Sequence, residues 1–321
     1  MDGVIIDVSG SYRDTVRQTA RLFFKEAGSW KDLPDPLFDL TDLAKVKQSG
    51  GLNNDWDLTF FVIRLLFTLV EGPTSNGDPN PWSRYHKTIS RCDVSALARF
   101  LNASKNPITT LFQKNEKQRH ELIISFYTGD VGTGNIIKQI FQEIYLGKDL
   151  FESTYGIPAK VYKGDGYINR EKLLIKRSFL ENLSKKYILA IATGRPKAEA
   201  DYPLDAFGLR EFFTAIYTLD DCLREEQKIL EKEKRTVSLS KPNPFMLNSI
   251  EEAQTDKIGQ FYYIGDMPDD MIAASRSRAE FVGVGILISS SDKDTLKKDL
   301  LQAGADHIVD DFNKLKKLIE S

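Results

Sequence analysis

The sequence has few of the residues that usually form disulfides or bind transition metals. Its 321 residues include two cysteines and three histidines. Cys92 and Cys222 are far apart and fit no metal-ligand spacing, so we expect reduced thiols in a reducing compartment and no disulfide. The histidines, His86, His120 and His307, are scattered, which favours surface or packing roles over metal binding.

The sequence also lacks a long apolar run and an excess of one charge. The most apolar stretch, Leu58 to Val70, contains Arg64 and is too short to cross a bilayer. There are 44 basic and 46 acidic residues, which gives a formal net charge of −2. We therefore expect neither nucleic acid nor a membrane as the main partner. No signal peptide follows Met1, so we expect a cytoplasmic protein, with targeting to an organelle left open.

The length and the order of the apolar segments predict two domains. A chain of 321 residues exceeds what one hydrophobic core usually serves. In the C-terminal half, short apolar runs alternate with helical stretches, which is typical of an α/β fold with a parallel sheet. These runs are Ile188–Ala192, Ala215–Thr218, Phe261–Ile264, Phe281–Ile288 and His307–Val309. Ligands of such sheets bind at the carboxyl ends of the strands, where Thr193 and Asp266 stand.

The N-terminal half has the pattern of helices instead. Apolar residues recur at helical spacing from Tyr12 to Ala27, and the run from Leu58 to Val70 also predicts a helix. We find no convincing series of strands between residues 12 and 172. The sequence therefore predicts an α/β core made of residues 1–11 and 173–321, with residues 12–172 inserted as an all-helical domain.

Four short motifs stand in chain order, and three of them follow apolar runs or open a helix. They are Asp2-Gly3-Val4, Thr193-Gly194-Arg195, Lys241-Pro242 and Gly265-Asp266-Met267-Pro268-Asp269-Asp270. Together they resemble the haloacid dehalogenase superfamily of Mg²⁺-dependent phosphatases and phosphotransferases. The resemblance is strongest to members with a helical cap inserted after the first motif, such as phosphoglycolate-phosphatase-like proteins. It implies a Rossmann-like parallel-sheet core with an inserted all-α cap.

The acidic cluster of the fourth motif suits phosphoryl transfer from a monoester to a carboxylate. At about 4 Å and an effective dielectric of about 20, each like-charge pair costs roughly 4 kcal/mol, so cations are needed. Asp266 and Asp270 are oxygen ligands suited to Mg²⁺, and their spacing lets both face one site. Asp269 is an alternative to Asp270. A helix N-terminus with acidic residues in its first turn is the other interpretation of the cluster.

The resemblance implies a role for the residues of the second and third motifs. Lys241 is expected to hold the nucleophile and the phosphate by its charge, or else to be a solvated loop lysine. Thr193 and the backbone N–H of Gly194 are expected to donate hydrogen bonds to a phosphate oxygen, unless they form only a strand-to-helix turn. Arg195 is expected either to reach a substrate anion or to lie exposed on the loop.

Asp2 matches the second aspartate of the first motif in this superfamily. The resemblance implies that Asp2 protonates the leaving group, then activates water, and binds Mg²⁺ through its backbone carbonyl. The nucleophile would lie two residues earlier, a position that this sequence does not contain. We therefore expect that Met1 is an internal methionine of a truncated chain, with genuine loss of the nucleophile as the alternative. Without its nucleophile, the chain is expected to have little phosphatase activity.

The helical domain is expected to close over the site and to supply substrate specificity. The stretch from Ser49 to Trp56 joins two predicted helices. Within it, Asn53, Asn54 and Trp56 are candidates for contact with a small polar ligand. An N-cap at Asn54 or Asp55 is the other interpretation, and the two can coexist.

The sequence as a whole predicts a phosphatase of the haloacid dehalogenase type that hydrolyses a small phosphorylated metabolite with Mg²⁺. A phosphosugar mutase with a similar cap is one alternative. A non-catalytic protein that binds a phosphorylated ligand or a protein partner is an alternative from another class. The identity of the substrate depends on residues of the cap and does not follow from the fold.

Overall fold

Most of the chain is described by a computed structural model, which covers residues 1–50, 54–73, 77–114, 120–254, 259–290 and 292–321. The chain divides into two compact units, one made of residues 1–8 and 171–321 and the other of residues 9–170. This division puts Glu171 and Lys172 with the first unit. None of the helices in the described part of the chain combines the length and the apolar character that a membrane span requires.

The unit of residues 9–170 is helical. Its α-helices are α1 (Tyr12–Phe23), α2 (Leu40–Gly50), α3 (Asp55–Leu66), α4 (Pro81–Ile89), α5 (Ser95–Ala103), α6 (Pro107–Lys114), α7 (His120–Ile124) and α8 (Ile136–Tyr155). Asparagines start several of them, because an Asn side chain accepts a hydrogen bond from an N–H group of the first turn. Asn80 accepts from the N–H of Ser83 at 2.9 Å, and Asn135 accepts from that of Lys138 at 2.9 Å.

Helix α1 packs against α3 and α8, and its last residue, Phe23, also joins an aromatic cluster with Tyr85 of α4 and Phe126, which follows α7. Phe23, Tyr85 and Phe126 are fully buried, with ring centroids 5.4 to 6.0 Å apart. The Tyr85 hydroxyl donates a hydrogen bond of 2.9 Å to the carbonyl of Phe23, so the phenol is buried without an unpaired polar atom.

A buried carboxylate on α8 joins that helix to the segment that follows it. Glu143 has no exposed surface. One of its oxygens accepts from the N–H of Lys160 at 2.9 Å, and the other accepts from Val161 at 2.7 Å and Tyr162 at 3.0 Å. The amide of Gln139 donates to it at 3.0 Å. Hydrogen bonds to a charged acceptor are stronger than neutral ones, so this residue fixes the path of residues 160–162.

Replacing Glu143 with alanine is expected to lower the free energy of unfolding by about 3 kcal/mol, because three backbone N–H groups lose their acceptor. Urea denaturation followed by circular dichroism measures the change. Asp149→Ala is the matched control, since Asp149 is an exposed acidic residue on the same helix. Equal losses for the two variants would contradict a role for Glu143 in holding the segment.

Helix α8 is interrupted by a close contact between two backbone segments. Gly147 has φ 74° and ψ 169°, which is not helical, and it forms an antiparallel bridge with Asp165. A Cβ atom on Gly147 would lie 2.2 Å from the backbone nitrogen of Gly166, and one on Gly166 would lie 2.2 Å from the carbonyl oxygen of Leu146. Only two glycines allow the backbones to approach this closely.

The unit of residues 1–8 and 171–321 is an α/β structure. Its strands are β1 (Ile6–Asp7), β2 (Lys172–Leu173), β3 (Ala190–Ala192), β4 (Ala215–Tyr217), β5 (Tyr262–Gly265), β6 (Val282–Ile286) and β7 (His307–Val309). Strands β3 and β4 pair in parallel, as do β5, β6 and β7 in that order, whereas β1 and β2 pair antiparallel. Each predicted apolar run thus contains a strand, and the prediction of an α/β fold with parallel strands is confirmed.

Helices separate the parallel strands of this unit. They are α9 (Arg177–Ser184), α10 (Lys197–Ala206), α11 (Leu219–Glu233), α12 (Phe245–Glu252), α13 (Pro268–Ser275), α14 (Lys293–Gln302) and α15 (Phe312–Ile319). A core of buried residues that includes Ile191, Leu204, Val284 and Ile286 joins the two parallel ladders. The ladders also meet at their edges, where the hydroxyl of Tyr263 on β5 donates to the carbonyl of Ala192 on β3 at 3.3 Å.

Candidate active site

The second motif forms the loop between β3 and α10. Thr193 is 3% exposed and its N–H donates to the carbonyl of Tyr217 at 3.0 Å, so the loop continues the β3–β4 pairing. Gly194 is exposed, and no other group lies within 4 Å of the position that its Cβ would take. An exposed glycine with open space beside it, next to a buried threonine at the end of a parallel strand, suits the binding of an anion.

Arg195, the last residue of this motif, is buried rather than exposed on the loop. Its side chain is 1% exposed, and its Nε donates to the carboxylate of Asp2 at 2.7 Å. Its two terminal nitrogens donate to the carbonyl of Glu199 at 2.9 Å and to both carboxylate oxygens of Glu171 at 3.0 and 3.1 Å. The expectation of an exposed loop arginine was therefore wrong, because two carboxylates compensate the buried charge. A guanidinium held in this way is poorly placed to reach a substrate.

The third and fourth motifs meet in a buried ion pair. The ammonium of Lys241 lies 2.6 Å from one carboxylate oxygen of Asp270, and the hydroxyl of Tyr263 lies 3.0 Å from the same oxygen. The other oxygen of Asp270 accepts from the N–H of Met267 at 3.1 Å, in the first turn of α13. The helix-capping interpretation of Asp270 is thus present in the structure, together with its contact to Lys241. Lys241 is not a solvated loop lysine, since its side chain is only 23% exposed.

The charges of this pair stabilise each other. Burial lowers the pKa of Lys241, but the Asp270 carboxylate and the Tyr263 hydroxyl together raise it more, and the net pKa lies well above its usual value. Burial likewise raises the pKa of Asp270, but the Lys241 ammonium, the amino terminus and the Tyr263 hydroxyl together lower it more, and the net pKa lies below its usual value. Both groups are therefore charged at neutral pH.

Asp266 lies at the end of β5, against the first motif. A Cβ atom on Gly3 would lie 1.8 Å from a carboxylate oxygen of Asp266, so the turn after Asp2 passes directly over this side chain. Gly3 has φ +63°, which a residue with a side chain rarely adopts. Burial and the neighbouring Asp270 carboxylate raise the pKa of Asp266 to about 7. A nearby cation would relieve this penalty.

The oxygen atoms of this site suit an Mg²⁺ ion that takes few of its ligands from the protein. Among the described residues, no group of three or more His, Cys, Asp or Glu side chains is arranged to hold a metal ion by itself. Mg²⁺ commonly uses one or two carboxylates and completes its shell with water and substrate phosphate. Asp266, with the hydroxyl of Ser289 at 3.5 Å, provides such a carboxylate, whereas Asp270 is committed to Lys241 and Tyr263. Asp269 lies on the first turn of α13 beside them.

Two candidates for substrate contact, Asn54 and Trp56, lie in the helical unit and form contacts with other residues of that unit. Asn54 caps α3, since its side chain accepts from the N–H of Trp56 at 2.8 Å, and the N-cap interpretation is confirmed. The ammonium of Lys138 lies 4.0 Å from the centre of the Trp56 ring, in a cation–π contact. Asn53 lies outside the described residues. Contact of these residues with a ligand stays a prediction.

The fold and the motifs agree with a known family. Residues 175–284 match the family model described as haloacid dehalogenase-like hydrolase. This stretch of the chain is thus similar to haloacid dehalogenase-like hydrolases. The match includes the second, third and fourth motifs and confirms the resemblance that they carry.

Two solved structures are similar in fold to most or all of this chain. An X-ray structure from the Northeast Structural Genomics Consortium has 20% identity and a TM-score of 0.64, covering 100% of this chain and 97% of that chain. The phosphatase Tt82 from Thermococcus thioreducens has 20% identity and a TM-score of 0.51, covering 94% of this chain and 96% of that chain. At this level of identity the likeness concerns the fold. No curated protein matches the sequence significantly.

Sequence reasoning missed three residues of this candidate site. Glu171 pairs with Arg195, Tyr263 contacts Asp270, and Ser289 lies beside Asp266 after β6. Ser289 could have been found, because a hydroxyl that follows a predicted parallel strand shares an edge with Thr193 and Asp266. Glu171 and Tyr263 carry no such local signal.

Proposed function

We propose that this chain is an Mg²⁺-dependent phosphomonoester hydrolase that acts on a small phosphorylated metabolite. The observation that carries the proposal is the convergence of the four motifs at the carboxyl ends of β3 and β5. Asp2 contacts Arg195, Gly3 passes over Asp266, and Lys241 pairs with Asp270. A lysine and a carboxylate of raised pKa are groups that a phosphate and a divalent cation require.

Each residue then has a task that its position supports. Asp266, with the backbone carbonyl of Asp2 that the resemblance implies, would hold Mg²⁺, which supplies charge neutralisation for the phosphate oxygens. The Thr193 hydroxyl and the Gly194 N–H orient the phosphate. Lys241 adds a positive charge that Asp270 keeps in place. Asp2 protonates the leaving oxygen and then accepts a proton from the attacking water.

The covalent step needs a nucleophile as well. The resemblance places an aspartate for this task two residues before Asp2, which is before the first residue of the 321-residue chain. An aspartyl phosphate formed there would be hydrolysed by the water that Asp2 activates. The assay therefore uses both the 321-residue chain and an extended chain, in which five apolar residues and an aspartate precede Met1.

The proposal is tested by the release of p-nitrophenol from p-nitrophenyl phosphate, with and without Mg²⁺. We expect the extended chain to hydrolyse this ester with Mg²⁺ and to lose the activity in EDTA. The 321-residue chain is expected to be slower by several orders of magnitude, because it has no aspartate for the covalent step. An inactive extended chain that still binds Mg²⁺ and inorganic phosphate in calorimetry would favour the non-catalytic alternative. Transfer of phosphate between positions of a hexose phosphate, without net hydrolysis, would favour the mutase.

A further inference from the structure

The guanidinium of Arg195 joins two carboxylates that are distant in sequence. Its Nε contacts Asp2, and one terminal nitrogen contacts both oxygens of Glu171. The side chains of Arg195 and Glu171 are each 1% exposed, whereas that of Asp2 is 34% exposed. The fully buried end of this network is therefore Glu171, and the end that solvent can reach is Asp2.

The planar guanidinium makes the network directional. One terminal nitrogen donates to both oxygens of Glu171, at 3.0 and 3.1 Å, and this buried contact fixes one end of the rigid guanidinium. The other terminal nitrogen donates to the carbonyl of Glu199 in the first turn of α10. With two of its three nitrogens fixed, Nε points in one direction, and the Asp2 carboxylate lies 2.7 Å away along it.

The backbone of Arg195 belongs to the same arrangement. Its N–H lies 3.3 Å from the hydroxyl oxygen of Thr193, and its carbonyl accepts from the N–H of Leu219 at 2.9 Å. The loop that presents Thr193 and the carboxylate of Asp2 are thus fixed by one residue. A displacement of Arg195 would change both together.

We propose that Glu171 and Arg195 are positioning residues that fix the carboxylate of Asp2, with Glu171 acting through Arg195. The inference rests on the proposed function in that it takes Asp2 as the acid–base group. Neither positioning residue contacts the substrate. Arg195 is too deeply buried, and Glu171 contacts Asp2 only by way of the guanidinium. A proton-transferring group must be held within hydrogen-bond reach of its partner, so loss of Glu171 lowers turnover more than substrate binding.

The first test is a thermodynamic cycle in the 321-residue chain. Asp2→Asn, Glu171→Gln and the double variant are compared by their midpoints of urea denaturation. Either single change leaves Arg195 with one carboxylate, and the double change leaves a buried guanidinium with none. The midpoint shift of the double variant is expected to exceed the sum of the single shifts, and the excess is expected to vanish in an Arg195→Met background. Additive shifts in both backgrounds would overturn the network.

The second test separates positioning from a purely structural role. In a crystal structure of Glu171→Gln, the Asp2 carboxylate is expected to leave Nε of Arg195 or to take two conformers. In the extended chain the same change is expected to lower kcat about tenfold for p-nitrophenyl phosphate, with KM within twofold. Arg195→Lys is expected to have the same effect, because an ammonium cannot hold both carboxylates in a fixed plane. The proposal would be overturned if these variants lowered only the stability, with the position of Asp2 and kcat unchanged.

Glu181→Gln is the matched control, since Glu181 is an exposed acidic residue of the same unit that forms an ion pair of 2.8 Å with Lys185. It is expected to leave the position of Asp2 and kcat unchanged. An extended chain without any phosphatase activity would contradict the proposed function. The urea cycle and the position of Asp2 would still decide whether Glu171 and Arg195 fix Asp2.

Discussion

Replacing Lys241 with methionine in the extended chain is expected to lower kcat/KM for p-nitrophenyl phosphate about 10³-fold. The ammonium of Lys241 lies 2.6 Å from Asp270 and close to Asp266, in a site that must also admit a phosphate dianion. At about 4 Å and an effective dielectric of about 20, one ammonium–phosphate contact contributes roughly 4 kcal/mol, which corresponds to about three orders of magnitude in rate. Methionine keeps the length of the side chain and removes the charge.

The control for this variant is Lys232→Met, because Lys232 is an exposed lysine of α11 in the same unit. It is expected to retain full activity. Circular dichroism shows whether both variants are folded, since Lys241 also compensates the buried Asp270. A folded Lys241→Met protein with activity within tenfold of the parent would rule out the electrostatic role that we give to this lysine.

Replacing Gly147 with alanine is expected to lower the free energy of unfolding by more than 3 kcal/mol. Part of the loss is the cost of a side chain at φ 74°, which is about 1–2 kcal/mol. The larger part is steric, because the new Cβ would lie 2.2 Å from the nitrogen and 2.7 Å from the Cα of Gly166. Both are backbone atoms, so no side-chain rotation relieves the contact, and residues 164–166 must move away from α8.

Gly156→Ala is the matched control for this prediction. Gly156 ends the same helix at φ +66°, and no other group lies within 4 Å of its Cβ position. It has the cost of a positive φ without a steric contact, so its loss is expected to be about 1–2 kcal/mol. The difference between the two midpoints of urea denaturation measures the backbone contact together with the added cost of a side chain at ψ 169°. Equal losses would mean that the segment near Gly166 moves freely.

The parts of the site that could be predicted from the sequence depend on local patterns. Thr193 and Asp266 follow apolar runs, and residues at the carboxyl ends of parallel strands share an edge of the fold. The N-cap at Asn54 is also a local signal, since its side chain bonds an N–H group two residues later. Such features can be predicted from the neighbouring residues and from the spacing of apolar residues along the strand or helix.

The features that could not be predicted depend on contacts between residues that are far apart in the sequence but close in the folded protein. An arginine after a Thr-Gly turn is exposed in most sequences, and only the carboxylates of Asp2 and Glu171 make the burial of Arg195 possible. Glu171 is the first residue after the helical unit, and nothing local distinguishes it from its neighbours. The break of α8 at Gly147 likewise requires a second glycine 19 residues later at Gly166.

The long separation between Asp2 and Arg195 has a consequence for the order of folding during synthesis. Residues 9–170 form a continuous unit, which leaves the ribosome complete before β3 has been made. Asp2 must wait 193 residues for the guanidinium that it contacts. Since domains generally fold as units as they emerge, the helical unit is expected to fold first and the α/β unit after it. The contact between Asp2 and Arg195 is thus expected to be one of the last to form, although Asp2 is made long before its partner.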